Sequence, residues 1–421
     1  MLNISYGGDM MKTKQISKML APLSGIMSFM FAMGVMTVPV SAQEINMANS
    51  AYEESVKTDY TTYINSTVEK NGFKVTINKL TAAKNRMNVT TTIEFPNEIT
   101  QEAINDSIFI FTVKKAKLES DWGDRRIIND RTLEVNFDVA GFEDLPLNAD
   151  LRFDVIIPEY NLNAWVNVNV DLSKNIDKTI EKDIDIYNDK AKITYNKVEA
   201  DVLGTSVYFK EDEYSDDYDY ENSYSDSDSK MLIKCDGKLY EFNDKDNNFY
   251  GEGNEGRYTC RELKYDTICN AESITLIPVT CTLTNKDKEQ IYNTMNYDYE
   301  DNMETFDNVT YKKDFDFKDG KDGEVTKVEK DDNKVKLYID TDSENKSILM
   351  ACGMNGWIEH NNDSNYYGDA EKSIYKDPDS KYGYIVEFAG VDKDANLHVY
   401  CNDDILSYSE KFEFGKEVKI K

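Results

Sequence analysis

The sequence is nearly devoid of histidine, the side chain that most often transfers protons in enzymes near neutral pH. Its 421 residues contain only His360 and His398, and His398 lies in the strand-like run LHVYC. The G-x-S-x-G, H-E-x-x-H and phosphate-loop patterns of many hydrolases and nucleotide-binding proteins are also missing. Histidine-based triads and metal hydrolases therefore lack their parts, so we expect His398 to be structural and the protein not to be an enzyme.

One catalytic class needs no histidine, because a glycosidase works with two carboxylates. The chain has 79 aspartates and glutamates, but no spacing among them selects a pair. A carbohydrate-active hydrolase using paired carboxylates therefore stands as the alternative to a non-catalytic protein.

Positive charge is scarce, because 49 lysines and arginines leave a formal net charge of −30. Such a field repels the phosphates of nucleic acids, so we expect no nucleic-acid partner. The acidity indicates either a solvated surface that keeps an exported protein soluble or an attraction for divalent cations or cationic ligands. It is densest in residues 211–229, where nine acidic residues and no basic one predict a disordered hairpin loop.

Long uncharged apolar runs are lacking too, with one exception near the N-terminus. No charged residue occurs from Met19 to Gln43, and lysines precede this run. The small residues expected at a leader-peptidase site follow at its end: Val40, Ser41 and Ala42. A basic segment, an apolar segment and a small-residue site, in that order, are the secretory signature.

Residues 1–42 are therefore predicted to be a cleaved signal peptide or a retained membrane anchor, since about 20 apolar residues span a bilayer. In either case we expect an extracytoplasmic protein, secreted or membrane-anchored, with the bulk of the chain outside. It would contact the membrane only if the segment is retained. Residues 43–59 are interpreted as a linker.

Alternation of apolar and polar residues dominates the chain after this linker and predicts an all-β protein. In the first block, residues 60–176, the predicted inward positions form five series. They are Phe73, Val75 and Ile77; Met87, Val89, Thr91, Ile93 and Phe95; Leu133, Val135, Phe137 and Val139; Leu151, Phe153, Val155 and Ile157; and Val166, Val168, Val170 and Leu172. This spacing is typical of an antiparallel sandwich.

Two further blocks of strands follow, at residues 177–300 and 301–421, with the acidic loop 211–229 in the former. We interpret residues 347–352 of the last block as a strand. The opening hairpins look alike, over residues 73–93, 191–209 and, in a shorter version, 324–339. The likeness reflects either a duplicated sandwich or the general pattern of amphipathic hairpins.

The basic N-terminus, the single apolar segment and residues 65–80, NSTVEKNGFKVTINKL, resemble an extracytoplasmic domain of unknown function. That domain is carried by anti-sigma-factor-like bacterial envelope proteins. Residues 149–163 also match, and residues 375–388 resemble the family's adjoining Ig-like region. The resemblance implies tandem Ig-like sandwiches and an envelope location, and it implies no known activity. Only 18 residues precede the apolar run, which is shorter than the family's sigma-factor-binding segment.

Six cysteines, an even number in an exported chain, permit disulfides. Four fall in the middle block: Cys235, Cys260, Cys269 and Cys281. Cys352 and Cys401 are the two thiols of the last block, which makes them the candidate pair. Buried thiols that act as small hydrophobes are the alternative, and we expect any bridge to stay within one block.

Calcium is the one cofactor that the sequence suggests, and no other is expected. Asp244, Asp246 and Asn248 have the D-x-D-x-N spacing of an EF-hand loop. Phe249 stands where that loop requires glycine, so a polar turn is the competing interpretation.

Together these features predict an envelope protein with a non-catalytic binding, structural or sensory role. Its partner, an envelope ligand or protein, is not named by the sequence. Loops at the ends of the sandwiches, such as residues 364–375, are the expected binding surfaces.

Overall fold

The computed structural model describes residues 60–421, apart from residues 117, 121–122, 191, 213–228, 243, 248–254, 295–303, 307–312, 316–322, 332, 360–366, 370, 392–395 and 402–407. Thr58–Lys421 form one compact unit. Nearly all of its elements are antiparallel strands, as the alternation predicts. Within these described ranges, no helix is long and apolar enough to cross a bilayer.

The first block is a sandwich of two sheets. Its larger sheet has the order β1-β2-β3-β7-β5, with β6 also paired to β7, and its smaller sheet is β4-β8-β9. The elements are β1 (Thr62–Lys70), β2 (Phe73–Ala82), β3 (Arg86–Glu94), α1 (Gln101–Asn105), β4 (Ile108–Val113), β5 (Glu119–Ser120), β6 (Asp124–Asn129), β7 (Thr132–Ala140), β8 (Asn148–Ile157), a 3-10 turn (Pro158–Tyr160), β9 (Leu162–Asp171) and α2 (Ser173–Ile176).

The inward residues predicted for this block form its core. All are buried except Val168, which is partly buried and packs against the same cluster. Phe137 and Phe153 come from opposite sheets, and their ring centroids lie 5.5 Å apart in an edge-to-face arrangement. Since burying one such side chain contributes about 1.5–3 kcal/mol, the two facing apolar surfaces account for the closure of the sandwich.

The middle block contributes a five-stranded sheet of order β10-β11-β12-β16-β15 and the strands β13, β14 and β17 of a second sheet. Its elements are β10 (Ile180–Asn188), β11 (Ile193–Asp201), β12 (Gly204–Glu211), β13 (Lys230–Cys235), β14 (Lys238–Glu241), β15 (Asp244–Asn247), β16 (Glu255–Cys260), α3 (Tyr265–Asn270), β17 (Ile274–Cys281) and α4 (Asn285–Thr294).

The last block contributes seven strands to the second sheet and also has a four-stranded sheet of order β18-β26-β22-β23. Its elements are β18 (Glu304–Phe306), β19 (Lys313–Phe315), β20 (Gly323–Asp331), β21 (Lys334–Asp340), α5 (Glu344–Gly353), β22 (Met354–Glu359), β23 (Tyr367–Asp369), β24 (Glu371–Lys376), β25 (Tyr384–Ala389), β26 (Asn396–Cys401), a 3-10 turn (Ser409–Lys411), β27 (Phe412–Phe414) and β28 (Val418–Lys419).

The three opening hairpins share a bulge as well as a sequence pattern. The register of β2 against β3 shifts between Ile77 and Lys79, that of β11 against β12 between Tyr195 and Lys197, and that of β20 against β21 between Val325 and Lys327. Each hairpin then pairs with a strand from later in its block, β7, β16 or β25. The recurrence of sheet order and bulge favours a duplicated sandwich, because a bulge is not a property of every amphipathic hairpin.

The strands β13 and β17 are buried on both faces. In β13, Met231, Ile233 and Cys235 face the core of the middle block, whereas Leu232 faces the core of the last block. A strand with apolar contacts on both faces loses its alternation, which explains the continuous runs MLIKC and ITLIPVTC.

Strand pairing crosses the predicted boundary between residues 300 and 301. Strand β14 pairs with β24 through Leu239 and Ile374, which makes one ten-stranded sheet from both blocks. The chain's last strands, β27 and β28, pair with β17 of the middle block, while β18 pairs with β26 of the last. The first block differs, because its strand β8 pairs with β9, which is the next strand in the chain. The middle block has β17 in the place of β8 and the last block has β26, and β18, which follows β17 in the chain, pairs with β26. The middle and last blocks have therefore exchanged their closing strands.

Residues 347–352 are helical, so the strand interpretation of this segment is wrong. Helix α5 begins after Ser343, whose side chain accepts a hydrogen bond from the backbone N–H of Lys346. The residues from Ser347 to Gly353 are all buried. Such an unbroken apolar run carries no period, so its sequence does not distinguish a helix from a strand.

Candidate functional site

Part of the sequence-derived site lies outside the described residues. This applies to Val40, Ser41 and Ala42, to His360, and to most of the acidic segment, of which only the ends are described. Strands β12 and β13, which flank that segment, belong to different sheets, so it connects two sheets and is not a hairpin. Of the loop expected at residues 364–375, residues 367–369 and 371–376 form strands β23 and β24.

Cys352 and Cys401 lie close in the fold. Cys352 is buried in the core of the last block, and Cys401 packs against that core from β26, where it pairs with Met354. All six cysteines are described and none is in a disulfide. Burial raises the pKa of Cys260 to about 12, which keeps that sulphur a thiol. The Cys352–Cys401 bridge stays a prediction.

The candidate calcium segment begins as a strand. Asp244 pairs with Thr259 and Asp246 with Arg257, as part of the ladder between β15 and β16. The remainder, residues 248–254, lies outside the described part of the chain. No group of three metal-binding side chains is found among the residues that are described. Calcium binding therefore stays an expectation from spacing alone.

His398 lies on β26, where the sequence places it in a strand. It pairs across the ladder with Trp357, and the two rings stack with centroids 4.0 Å apart and planes 7° from parallel. The stacking of His398 on Trp357 accounts for His398 as a structural residue.

The outer face of the sheet β4-β8-β9 carries the clearest candidate for ligand binding. Trp165 projects from β9 and is 37% exposed, although large aromatic side chains are usually well covered. Asp154 of β8 pairs with Trp165 across the ladder, and Ile110 of β4 pairs with Asp154 on its other side. The side chain of Ile110 is 40% exposed. We call the exposed side chains of these three strands the Trp165 face.

Charges on the Trp165 face neutralise one another. Arg152 donates from Nε and Nη2 to both carboxylate oxygens of Asp154, at 2.7 and 2.6 Å. Its guanidinium carbon lies 5.3 Å from the Trp165 ring centroid. Asp150 accepts a hydrogen bond of 2.8 Å from the amide of Asn169. The hydrogen bond to Asp154 raises the pKa of Arg152.

An open groove runs beside Trp165 on the same face. Its volume is about 550 Å³, within the range of small-molecule sites. Its walls combine amides, a hydroxyl and ionised groups: Thr112, Lys114, Asp150, Leu151, Arg152, Asn167, Val168 and Asn169. Asp150 and Asp154 each accept hydrogen bonds from a neighbouring side chain, and the walls of the groove offer several hydrogen-bonding groups.

A second polar cluster joins the first block to the middle block. The side chains of Arg86 and Asp201 are 6% and 0% exposed, and Arg86 Nε donates to Asp201 Oδ2 at 2.9 Å. Arg86 Nη2 donates to the carbonyl of Gly204 at 2.8 Å. Asp201 also accepts from the backbone N–H groups of Leu203 and Gly204. The buried charges are therefore paired and hydrogen-bonded, as burial requires.

Asn85 completes this junction. Its amide donates to the Tyr208 hydroxyl at 2.8 Å and to Glu199 Oε1 at 3.2 Å. Tyr208 in turn donates to Glu199 at 3.0 Å, and the Lys197 ammonium lies 4.0 Å from the Tyr208 ring centroid. Burial, and then the charge of Glu199, raises the pKa of Tyr208.

Sequence reasoning missed both polar clusters. The residues of the Trp165 face alternate with core residues, so their outward direction could be predicted, but not which strands adjoin. For the junction a signal did exist. The segment KVE occurs at residues 197–199 and again at residues 327–329, each directly after a bulge.

Residues 11–95 match the family described as a domain of unknown function (DUF4179). This match includes residues 65–80 and confirms that part of the resemblance. No curated protein matches the chain. Among solved structures, the conserved domain protein from Bacillus anthracis is similar at 16% identity and a TM-score of 0.41. That similarity covers 54% of this chain and 80% of the other. The chain thus contains, over residues 11–95, a segment similar to this family.

Proposed function

We propose that the protein is a secreted or membrane-anchored envelope protein of tandem Ig-like sandwiches that binds a partner without catalysing a reaction. The Trp165 face is the proposed contact surface, and the exposure of Trp165 is the observation that carries the proposal. An indole that remains accessible beside a polar groove provides apolar contact area and directed hydrogen bonds together.

The chemistry of the groove supports binding over hydrolysis. A glycosidase needs one carboxyl group that stays protonated and a second that stays ionised. Asp154 is held by the guanidinium of Arg152 and Asp150 by the amide of Asn169. Both carboxylates therefore accept hydrogen bonds from neighbouring side chains, and the residues that line the groove include one carboxylate, Asp150, where a glycosidase needs two.

Replacing Trp165 by alanine is expected to weaken retention of the purified chain on cell-envelope material by about 30-fold. Loss of an exposed aromatic anchor typically costs a binding surface that much. The measurement is a binding isotherm on washed envelope fractions. Tyr187→Ala is the matched control, because Tyr187 is an exposed aromatic residue of the middle block, 52% accessible. Equal binding by both variants would remove the Trp165 face from the proposal.

The same purified chain should release no product from cell-wall glycan or common polysaccharides. Suppose instead that glycan is cleaved and that one Asp or Glu substitution abolishes cleavage in a folded protein. The carbohydrate-active hydrolase would then replace the binding protein.

Export is tested separately. N-terminal sequencing of extracellular protein is expected to begin at Gln43, directly after Val40, Ser41 and Ala42. A membrane-bound chain that keeps residues 19–42 would instead show that the segment is an anchor. A soluble cytosolic chain with these residues intact would contradict the extracytoplasmic proposal.

A further inference from the structure

The last block repeats the surface by which the middle block holds the first. Three side chains of the middle block accept the contacts of Asn85 and Arg86: Glu199, Asp201 and Tyr208. Lys197 pairs with Tyr208 across the hairpin, and Asp201 pairs with Gly204 at its end. We call Glu199, Asp201 and Tyr208 the closed acceptor face.

The corresponding residues of the last block are Glu329, Asp331 and Tyr338, here called the open acceptor face. Lys327 pairs with Tyr338 and Asp331 with Lys334, in the register of the middle block. Tyr338 donates to Glu329 at 2.7 Å, as Tyr208 does to Glu199, and the Lys327 ammonium lies 4.6 Å from the Tyr338 ring centroid. The three acceptor residues of the two faces therefore have the same side chains and the same contact between tyrosine and glutamate.

The two faces differ in what covers them. Glu199 and Asp201 are 2% and 0% exposed, because the first block lies on them. Asp331 is exposed, and Glu329 is only partly buried. The open acceptor face thus keeps the arrangement of an interface while remaining accessible to solvent.

The element that fits this face is present in the same chain. In the first block the inserted element is the hairpin tip Asn85–Arg86, and the carbonyl of Asn85 accepts a hydrogen bond of 2.8 Å from Gly141. In the last block the carbonyl of Asn333 accepts a bond of 3.0 Å from Gly390. Lys334 follows Asn333 and pairs with Ala389, as Arg86 pairs with Ala140. The last block therefore carries a tip of an amide followed by a cation.

We propose that the open acceptor face binds the Asn333–Lys334 tip of a second copy of this chain. The cation of the tip matches the carboxylate of Asp331, and its amide matches Glu329 and Tyr338. Face and tip belong to one hairpin, so two copies make the contact twice around a twofold axis and form a closed dimer.

The contact between copies is expected to be weaker than the junction within the chain. Val391 stands where the first block has Phe142, whose ring lies 6.2 Å from Tyr208. Ile385 pairs with Tyr338 where Arg257 pairs with Tyr208. To contact a second copy, the ammonium of Lys334 must also give up its ion pair with Glu387, which is 3.4 Å away. Glu387 would still be paired with Lys336, at 3.5 Å.

The test is sedimentation of the full purified chain over a range of concentrations. About 0.15 M salt screens the net charge of −30 beyond roughly 8 Å. We expect a monomer–dimer equilibrium. Asp331→Lys or Lys334→Glu alone should raise the dissociation constant by about 100-fold, since like charges then face each other. Asp130→Lys, the same charge change on an exposed turn of the first block, should leave it unchanged.

Mixing the two single variants distinguishes a contact between copies from one within a copy. In a mixed pair both contacts again join opposite charges, so the mixture should form dimers that neither variant forms alone. A chain that stays monomeric at all concentrations, or dimers that are indifferent to both substitutions, would overturn the proposal. Association by each variant alone but not by their mixture would overturn it as well.

Discussion

Removing residues 412–421 is expected to unfold the middle block, although these residues lie at the far end of the chain. Strand β27 covers β17 from Val279 to Cys281, and β28 covers Thr275 and Leu276. Without them β17 becomes an edge strand with unpaired backbone groups, each costly in a buried position. The core of the middle block would also lose the packing of Val418 and Ile420, and Phe412, 8% exposed, would leave the core of the last block. We expect the free energy of unfolding to fall by several kcal/mol, which is the usual scale when buried packing is removed.

Urea unfolding followed by limited proteolysis measures this effect. New cleavage sites should appear within residues 177–300 as well as near the C-terminus. Glu413→Ala serves as the control, because Glu413 lies on β27 with an exposed side chain. Protection of residues 177–300 in the truncated chain would show that the strand exchange does not stabilise the middle block.

Asp201→Ala is expected to lower the free energy of unfolding by about 3–5 kcal/mol. The substitution leaves Arg86 buried without its carboxylate, and it deprives the N–H groups of Leu203 and Gly204 of their acceptor. A buried charge without a partner is far more costly than the net contribution of the pair.

Asp331→Ala is the matched control, because Asp331 has the same place in the last block and is exposed. Its effect on the free energy of unfolding should stay within about 0.5 kcal/mol at a concentration where the chain is monomeric. Urea midpoints of both variants provide the comparison. Equal midpoints would mean that the junction between the first and middle blocks contributes little to stability.

The first block shows how far sequence reasoning reaches. From Phe73 to Leu172, alternation alone identified β2, β3, β7, β8 and β9 and their inward faces, since each of them has one face in the core and one in solvent. The strands β4, β5 and β6 were not singled out. The method failed at α5, because an unbroken apolar run has no period and does not distinguish a helix from a strand.

The candidate sites were less accessible to the sequence. Trp165 alternates with the core residues Ala164 and Val166, so its outward direction follows from the pattern. Its contact with Arg152 could not be predicted in the same way, because that contact depends on the pairing of β8 with β9. For the junction, the repeated KVE segment pointed to Glu199, but it did not identify the pair Arg86 and Asp201, because their partnership depends on how two sandwiches pack.

By itself the sequence determined the all-β class, the first sandwich and the likeness of the three opening hairpins. Each of these depends on residues close together in the chain, where side-chain period and turn chemistry act directly. Only the tertiary structure decided that β27 and β28 close the middle block and that Asp201 is buried while Asp331 is exposed. Strand pairing between distant segments depends on which edges and faces are left uncovered, and similar local sequences acquire different burial when only one of them meets a partner.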